Sequence, residues 1–472
     1  MMNDTTVYLS RKILVVLLAM SFPLLSYGQW SAPVDLSPNA VSAGLNESMG
    51  TCIGVRGDTI HVVWTDELSK TTAALYYTRS VDTGLTWSTP VAITGLSGNA
   101  WSPTIAVSGA NVHVAWREIN PANNRRASYY KHSLDGGNTW SSSTFLDSTA
   151  DWPAIAVSGD TVYIANDVVV SESPYNTEIF FLRSSDNGAT WSTPKQLTFA
   201  VGRSEDEAIL AQGSHVHMSW NDNRSGQFQI FYKQSANYGA TWDSDVVVMP
   251  QRDYGTMVYV DGAHVDVVAT GHPTSSHYQL LLVQSSDTGN TWGNDKDISG
   301  NDTTHTYFYP DMVRNSSDLH VVCGSSTGNK YYHSGDGGST WDAPFTYNGG
   351  FTFTAYTGCV VHIICADSSH IHYLRNPTAN NGSDCDKATA IKQVTDNKHL
   401  LEIYPNPTSG TTTISSSKNI DNIKVFDLLG QLVYEATPKQ TQFIFELKET
   451  GMYFVIVTTG DETETKKIVV VR

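Results

Sequence analysis

The chain is poor in basic residues. Its 472 positions hold 29 Lys and Arg against 46 Asp and Glu, a net charge of −17, which excludes the basic footprint that nucleic acid or an anionic membrane surface requires. Cysteine is scarce: Cys52, Cys323, Cys359, Cys365 and Cys385 are the five present, and no two form a CxxC pair, so zinc-ribbon and thioredoxin readings fall away. An exported chain can form a disulfide, but spacing assigns no partners, and buried free thiols in strands fit equally well. The fifteen His are scattered without ligand spacing; no metal and no cofactor is expected. Helix-period stretches are few. The apolar run Ile13 to Leu25 is too short to span a bilayer as a permanent helix, and no later run is long or apolar enough to do so.

That run follows Arg11 and Lys12 and leads to Ser26 and Gly28, small residues placed −3 and −1 from a cut before Gln29. Residues 1–28 therefore read as a signal peptide cleaved near Gly28, and the mature protein is expected outside the cytoplasm.

What is abundant is repetition. Ser133-Leu134-Asp135-Gly136-Gly137-Asn138-Thr139-Trp140 recurs in near-copies beginning at Ser80, Ser184, Ser235, Ser285 and Ser334. Its aspartate column runs Asp82, Asp135, Asp186, Asn237, Asp287, Asp336, in steps of 53, 51, 51, 50 and 49 residues. A period so even marks an array of one supersecondary unit. The carboxylate can accept bonds from its own turn, the Gly two residues on supplies a positive φ, and the Trp carries apolar surface into the neighbouring sheet. At Asn237 the charge is lost while an acceptor oxygen remains, which suits local bonding and not acid chemistry. This octet resembles the Asp-box of the sialidase-like (BNR-repeat) propellers, and the resemblance implies an all-β propeller in which the boxes are structural hairpins remote from the active face.

Between the boxes each unit follows one script of four strands. Second strands such as Val112-His113-Val114-Ala115-Trp116 and Val216-His217-Met218-Ser219-Trp220 number seven, and so do third strands, beginning at Leu75, Ser128, Ile179, Ile230, Gln279, Lys330 and His370. The seventh unit lacks a box and a fourth strand. Trp30-Ser31-Ala32-Pro33-Val34-Asp35-Leu36-Ser37 matches Trp87 to Thr94 almost position for position and can supply that strand, removing an open edge. The expectation over residues 29–376 is a seven-bladed β-propeller closed by its N-terminal strand; a six-bladed ring with irregular ends is the alternative, since sialidases proper have six blades.

Residues 377–397, with Asn380-Asn381-Gly382-Ser383-Asp384, read as a linker. Residues 398–472 then alternate short strands and turns, as expected of a small β-sandwich. Ile403-Tyr404-Pro405-Asn406-Pro407, Val425-Phe426-Asp427-Leu428-Leu429-Gly430, Gly451-Met452-Tyr453-Phe454-Val455 and Lys466-Lys467-Ile468-Val469-Val470 together resemble the C-terminal sorting domain of the type IX secretion system. That resemblance implies a Gram-negative, Bacteroidota-type source, engagement of the type IX machinery, and release or anchoring at the outer cell surface.

Turns of a four-stranded blade alternate between faces, so loops after second strands lie opposite the boxes, where an axial pocket is lined by several blades. That face collects Arg117, Arg126, Asp151, Asp167, Arg203, Glu205, Asp206, Glu207, Asp222, Arg224, Arg252, Tyr254 and Tyr307. Aromatics with carboxylates and Arg suit extracellular glycan or glycoprotein, by ring stacking and forked pairing. Trp101 and Trp152, at equivalent places opening successive first strands, are either stacking platforms or fillers between sheets. Asp222 and Arg224 are expected to brace their own loop.

Sialidases, as a family, grip the sialate carboxylate with three Arg, one in an Arg-Ile-Pro motif, and use a Tyr nucleophile with a Glu and an Asp acid/base. No Arg-Ile-Pro occurs here, so no role transfers by motif. Arg117, Arg203, Arg224 and Arg252, with Trp101 and Trp152, are the ligand-binding candidates; Tyr254, Glu205, Glu207 and Asp222 are the catalytic ones. A propeller that binds glycan is expected, with an exo-sialidase type of glycoside hydrolase as the alternative.

Overall fold

A computed structural model describes residues 30–45, 50–120, 125–250, 252–271, 277–300, 302–358, 360–367, 369–377, 401–404, 408–427, 431–460 and 462–471. The export signal, most of the linker, Cys359 and Cys385 lie outside these. The chain divides into two compact units, Met1–Ala388 and Thr389–Arg472, and its regular elements among the described residues are all strands.

Among the described residues the first unit holds seven antiparallel sheets, numbered in chain order of their first strands. Sheet 1 is made of Ala43–Gly44, Ile53–Arg56, Thr59–Ser69, Thr72–Ser80 and Val91–Ala92, sheet 5 of Arg252–Asp261, His264–Gly271, Gln279–Ser285 and Lys296–Asp297, and sheet 6 of Tyr307–Asn315, Asp318–Ser325, Asn329–Ser334 and Phe345–Tyr347. Sheet 2 is typical: Ala100–Ser108, Asn111–Ile119, Arg126–Ser133 and Thr144–Asp147 follow one another, each paired to the last. Sheet 3 (Ala150–Ser158, Thr161–Glu172, Tyr175–Ser184, Lys195–Gln196) and sheet 4 (Ser204–Gln212, His215–Asp222, Gln229–Ser235, Val246–Met249) repeat the plan. Sheet 7 holds Thr352–Thr357, Val360–Ala366 and Ile371–Asn376, and its fourth strand is Val34–Asp35 from the other end of the unit. Val34 pairs with Tyr373 and Asp35 with His372, flanked by Ser31 N–H to Arg375 O at 2.9 Å and Leu36 N–H to Ile371 O at 2.8 Å. First strands pack side by side in chain order, and Thr352–Thr357 packs in turn against Ile53–Arg56 of sheet 1. All seven first strands wall one apolar cavity of about 250 Å³, among them Ile53, Ile105, Ile155, Ile209, Val258, Met312 and Ala355.

Three third strands begin well before the sequence patterns indicate, at Tyr175 and not Ile179, Arg126 and not Ser128, Thr72 and not Leu75, while that at Gln279 begins as expected and the seventh begins one residue later, at Ile371. Polar residues at a hairpin end carry no apolar alternation, yet their backbones still pair, in sheet 3 as far out as Glu172 with Tyr175.

The repeat also explains what joins the sheets. In each box the Asp binds its own turn: Asp135 accepts from Thr139 N–H at 2.8 Å, Thr139 Oγ1 at 2.6 Å and Ser133 Oγ at 2.7 Å. The Thr139 bonds, foremost, hold the Asp135 carboxyl at about 2. At Asn237 the same cage survives, Oδ1 accepting from Thr241 N–H at 2.9 Å and Nδ2 donating to Thr241 Oγ1 at 2.8 Å. The box Trp meets an aromatic of the preceding sheet edge-on: Trp140 on Tyr77, Trp191 on Tyr130, Trp242 on Phe181 and Trp292 on Tyr232, with centroids 4.8 to 5.1 Å apart. Trp87 of sheet 1 meets Tyr373 of sheet 7 at 4.8 Å, and Trp30 meets Tyr331 of sheet 6 at 4.9 Å. In five sheets a Tyr hydroxyl is tied to a buried His, in the pairs His61–Tyr77, His113–Tyr130, His217–Tyr232, His320–Tyr331 and His362–Tyr373, at 2.6 to 2.8 Å. Cys52, Cys323 and Cys365 are buried.

The second unit contains two sheets. One is built from Leu401–Tyr404, Thr411–Ile420 and Gln440–Glu446, the other from Leu432–Ala436, Asn422–Phe426, Gly451–Thr459 and Glu462–Val470. Ile414 and Phe445 of the first share a core with Val425, Val455 and Ile468 of the second.

Candidate functional site

The first strands open irregularly on the face away from the boxes. In sheets 2 to 6 pairing slips near the start of the first strand, and one residue there is left-handed: Ser102 (φ 52°), Trp152 (φ 42°), Asp206 (φ 56°), Gly255 (φ 47°) and Tyr309 (φ 49°). Four of the five carry a side chain, at a cost of about 1–2 kcal/mol each, and bulges of this kind re-aim side chains at functional rims. They also correct one expectation. Trp101 pairs with Arg117 as Asp151 pairs with Asp167, so Trp101 is equivalent to Asp151, while Trp152 takes the left-handed place of Ser102. The slip is one residue, invisible in a list of aromatics.

Sheets 2, 3 and 4 bring most of the charged candidates together. Asp151, buried, accepts from Arg117 Nη1 at 2.9 Å and from Arg126 Nη1, and the Arg117 guanidinium lies 3.6 Å over the Trp152 ring. Arg203 meets Glu205 at 3.4 Å and Phe228 at 4.8 Å. Across the gap between sheets 3 and 4 stand Asp167, on a second strand, and Glu205, Asp206 and Glu207, on a first strand. Burial, then the neighbouring Asp206, pushes the Glu205 carboxyl up to about 7. Burial, then the charge of Asp167, raises Glu207 well above the usual carboxylate range, and burial followed by Asp151 does the same to Asp167. Asp206 is raised by burial despite a 2.9 Å bond from Asn221 Nδ2. Carboxyls so raised can exchange protons with a ligand, and an approaching cation favours their ionised, accepting form.

Other candidates lie apart. Asp222 is clamped by Arg224 Nε at 2.8 Å and Nη2 at 2.5 Å, and by Trp220 Nε1 at 3.0 Å, and Arg224 also reaches Asp245 at 2.8 Å. This pair braces its loop. Arg252 and Tyr254 stand on the first strand of sheet 5, Arg252–Asp261, but their side chains lie outside the described residues. Trp101 donates from Nε1 to Asn99 Oδ1 at 2.6 Å. Tyr307 bonds Asp302 at 2.9 Å. A separate polar cleft of about 420 Å³ beside sheet 2 is lined by Asn99, Glu118, Arg125, Arg126 and Tyr129. Among the described residues no group of three or more His, Cys, Asp or Glu is arranged to hold a metal ion, and no helix is long and apolar enough to cross a membrane.

Sequence reading missed Tyr175. It begins the third strand of sheet 3, 48% exposed, its phenol raised by burial and then by the charges of Asp167 and Glu205. The signal lay in length: the hairpin Thr161–Ser184 of sheet 3 outreaches its counterparts in sheets 2 and 4.

Residues 402–471 match the family described as the secretion system C-terminal sorting domain. Solved structures similar to the chain include a Hadza microbial sialidase (12% identity, TM-score 0.46, covering 73% of this chain and 68% of that one). An ulvan lyase bound to -[GlcA(1-4)Rha3S]- is another (11%, 0.48, 70% and 93%), and the Trypanosoma rangeli sialidase a third (10%, 0.41, 81% and 88%). No curated protein matches the chain. Successive antiparallel sheets make the first unit an all-β repeat array, and in four of them an Asp-box Trp docks on an aromatic of the preceding sheet. A type IX sorting domain follows this array.

Proposed function

We propose that residues 29–376 form a closed seven-bladed ring that binds extracellular glycan on the face opposite its Asp-boxes. Closure is supported by the pairing of Val34 with Tyr373, the Trp87–Tyr373 contact and the cavity walled by all seven first strands. Signal cleavage near Gly28 and engagement of the type IX machinery through residues 398–472 would deliver the protein outside the cell or to its outer surface, the destination that the sorting-domain match supports.

One observation carries the glycan reading: Asp167, Glu205, Asp206 and Glu207 are gathered, with raised pKa values, where strained first strands also present Trp152 and Arg203. Such a mixture of aromatic faces and convergent polar groups suits sugar hydroxyls. Catalysis by a glycoside hydrolase is the second reading, favoured by Glu205, whose pKa of about 7 suits a general acid. A sialidase grip is weakened because Arg117, Arg203 and Arg224 each already face a carboxylate of the protein. A glycan array probed with the mature protein, run beside release of a fluorogenic aglycone from sialosides and neutral glycosides, tests both. Binding without release supports the first reading; release supports the second; neither overturns both.

A further inference from the structure

We infer that the seam between sheets 3 and 4 selects glycans bearing free amino groups, hexosamine units whose ammonium is directed at Asp167 and Glu207 while a sugar ring lies on Tyr175. This rests on the glycan reading and narrows its ligand class.

The argument begins with charge. Arg117 and Arg126 are both spent on Asp151, and Arg203 on Glu205. Asp167 and Glu207 form no ion pair with Lys or Arg among the described residues, and the charge of Arg126 acts on Asp167 only as the last of its influences, behind burial and three carboxylates. Neither Glu207 oxygen meets a donor from another residue, nor does Asp167 Oδ1, although Glu207 is only 2% exposed and Asp167 8%. Thr177, 2% exposed, leaves its hydroxyl unpaired too. Its register sets it on the same side of the sheet: Thr177 pairs with Val169 and Ile179 with Asp167, two residues along each strand, and Thr177 also bridges to Arg203 of sheet 4. Native structures seldom leave so many buried acceptors in one place. The site is rich in acceptors and short of donors. An ammonium brings three donors and no acceptor, whereas a uronate or sialate would meet carboxyls and find the arginines already engaged.

A ledge adjoins these groups. Phe199 and Val201 are 76% and 81% exposed, and their loop is tied to the Tyr175 hairpin by Thr177 N–H to Gly202 O at 3.3 Å and Asn176 Nδ2 to Ala200 O at 3.3 Å. With Tyr175 they form an apolar shelf at the mouth of the carboxyl group cluster, the surface a pyranose face covers.

The test titrates the mature protein calorimetrically, at physiological salt, with tetramers of glucosamine, N-acetylglucosamine and a uronic acid. The expected result is glucosamine binding at least about tenfold tighter than the N-acetylated tetramer, the ratio of one charge-assisted hydrogen bond, and no measurable uronate binding. Asp167→Asn should erase that preference. Tyr175→Ala, at an exposed position that does not disturb the core, should weaken both amino sugar tetramers alike and keep it. Equal affinities, a uronate preference, or a glucosamine preference that survives Asp167→Asn overturns the inference while leaving the glycan reading intact. Silence of the whole glycan array overturns the reading itself.

Discussion

Gly84→Ala asks whether sheets 7 and 1 meet. Gly84 follows the Asp of the first box at φ +84°, and a methyl there would be driven into the hydroxyl and ring of Tyr373. That ring cannot retreat: it is fully buried, bonded to His362 and capped by Trp87. Gly57→Ala is the matched control, at φ +56° with nothing within 4 Å of the new methyl. The control carries only the left-handed backbone cost of about 1–2 kcal/mol; Gly84→Ala adds overpacking of about 1–3 kcal/mol. Urea denaturation of both variants should separate them by that increment. Tyr373→Phe removes the nearest clashing atom, so the double variant should recover part of the loss, a coupling on the order of 1 kcal/mol. If Gly84→Ala matches Gly57→Ala and shows no coupling to Tyr373, the two sheets do not touch and the closed ring is wrong.

Two further outcomes concern pH. His61, His113 and His217 are held neutral, foremost by burial, at about 4, 3 and 4; since they take protons near 6.5 when unfolded, stability should be fully present above 6.5 and fall as pH drops towards 4, read as a falling melting temperature. Glu205 has the opposite sign. With its folded pKa raised to about 7, the native state holds a proton the unfolded chain has lost, so stability falls as pH rises from about 4.5 to 7; Glu205→Gln should gain about 2 kcal/mol at pH 8 and almost nothing at pH 4, after discount for its partial exposure. A variant as pH-sensitive as the parent would remove Glu205 from the cluster.

The sequence carried the scaffold well because its devices are local and periodic. An Asp that bonds its own turn, a Gly two places on and a Trp three places beyond that write the same octet wherever they occur, and Trp30 to Ser37 betrays its place by copying Trp87 to Thr94. The face with Glu205 was less readable. Its composition could be collected from loops, but which groups meet depends on register across sheets: Arg117 reaches Asp151, Asp167 faces Glu207, and Arg224 turns back on Asp222. A single left-handed residue displaces Trp152 from the place of Trp101, and no pattern of residue types encodes that slip. Tyr175 escaped because polar hairpin ends pair through backbone alone.

The division of labour between the two faces is tested most directly within one sheet. Tyr175→Ala alters the open face of sheet 3, and Asp186→Ala removes a box carboxylate that accepts from Thr190 N–H at 2.9 Å and Thr190 Oγ1 at 2.6 Å. Measured side by side for affinity towards an array-identified glycan and for melting temperature, Tyr175→Ala should lose binding and keep its stability, while Asp186→Ala should melt earlier and bind as before. The reverse pattern, binding lost at Asp186 and kept at Tyr175, would contradict the account.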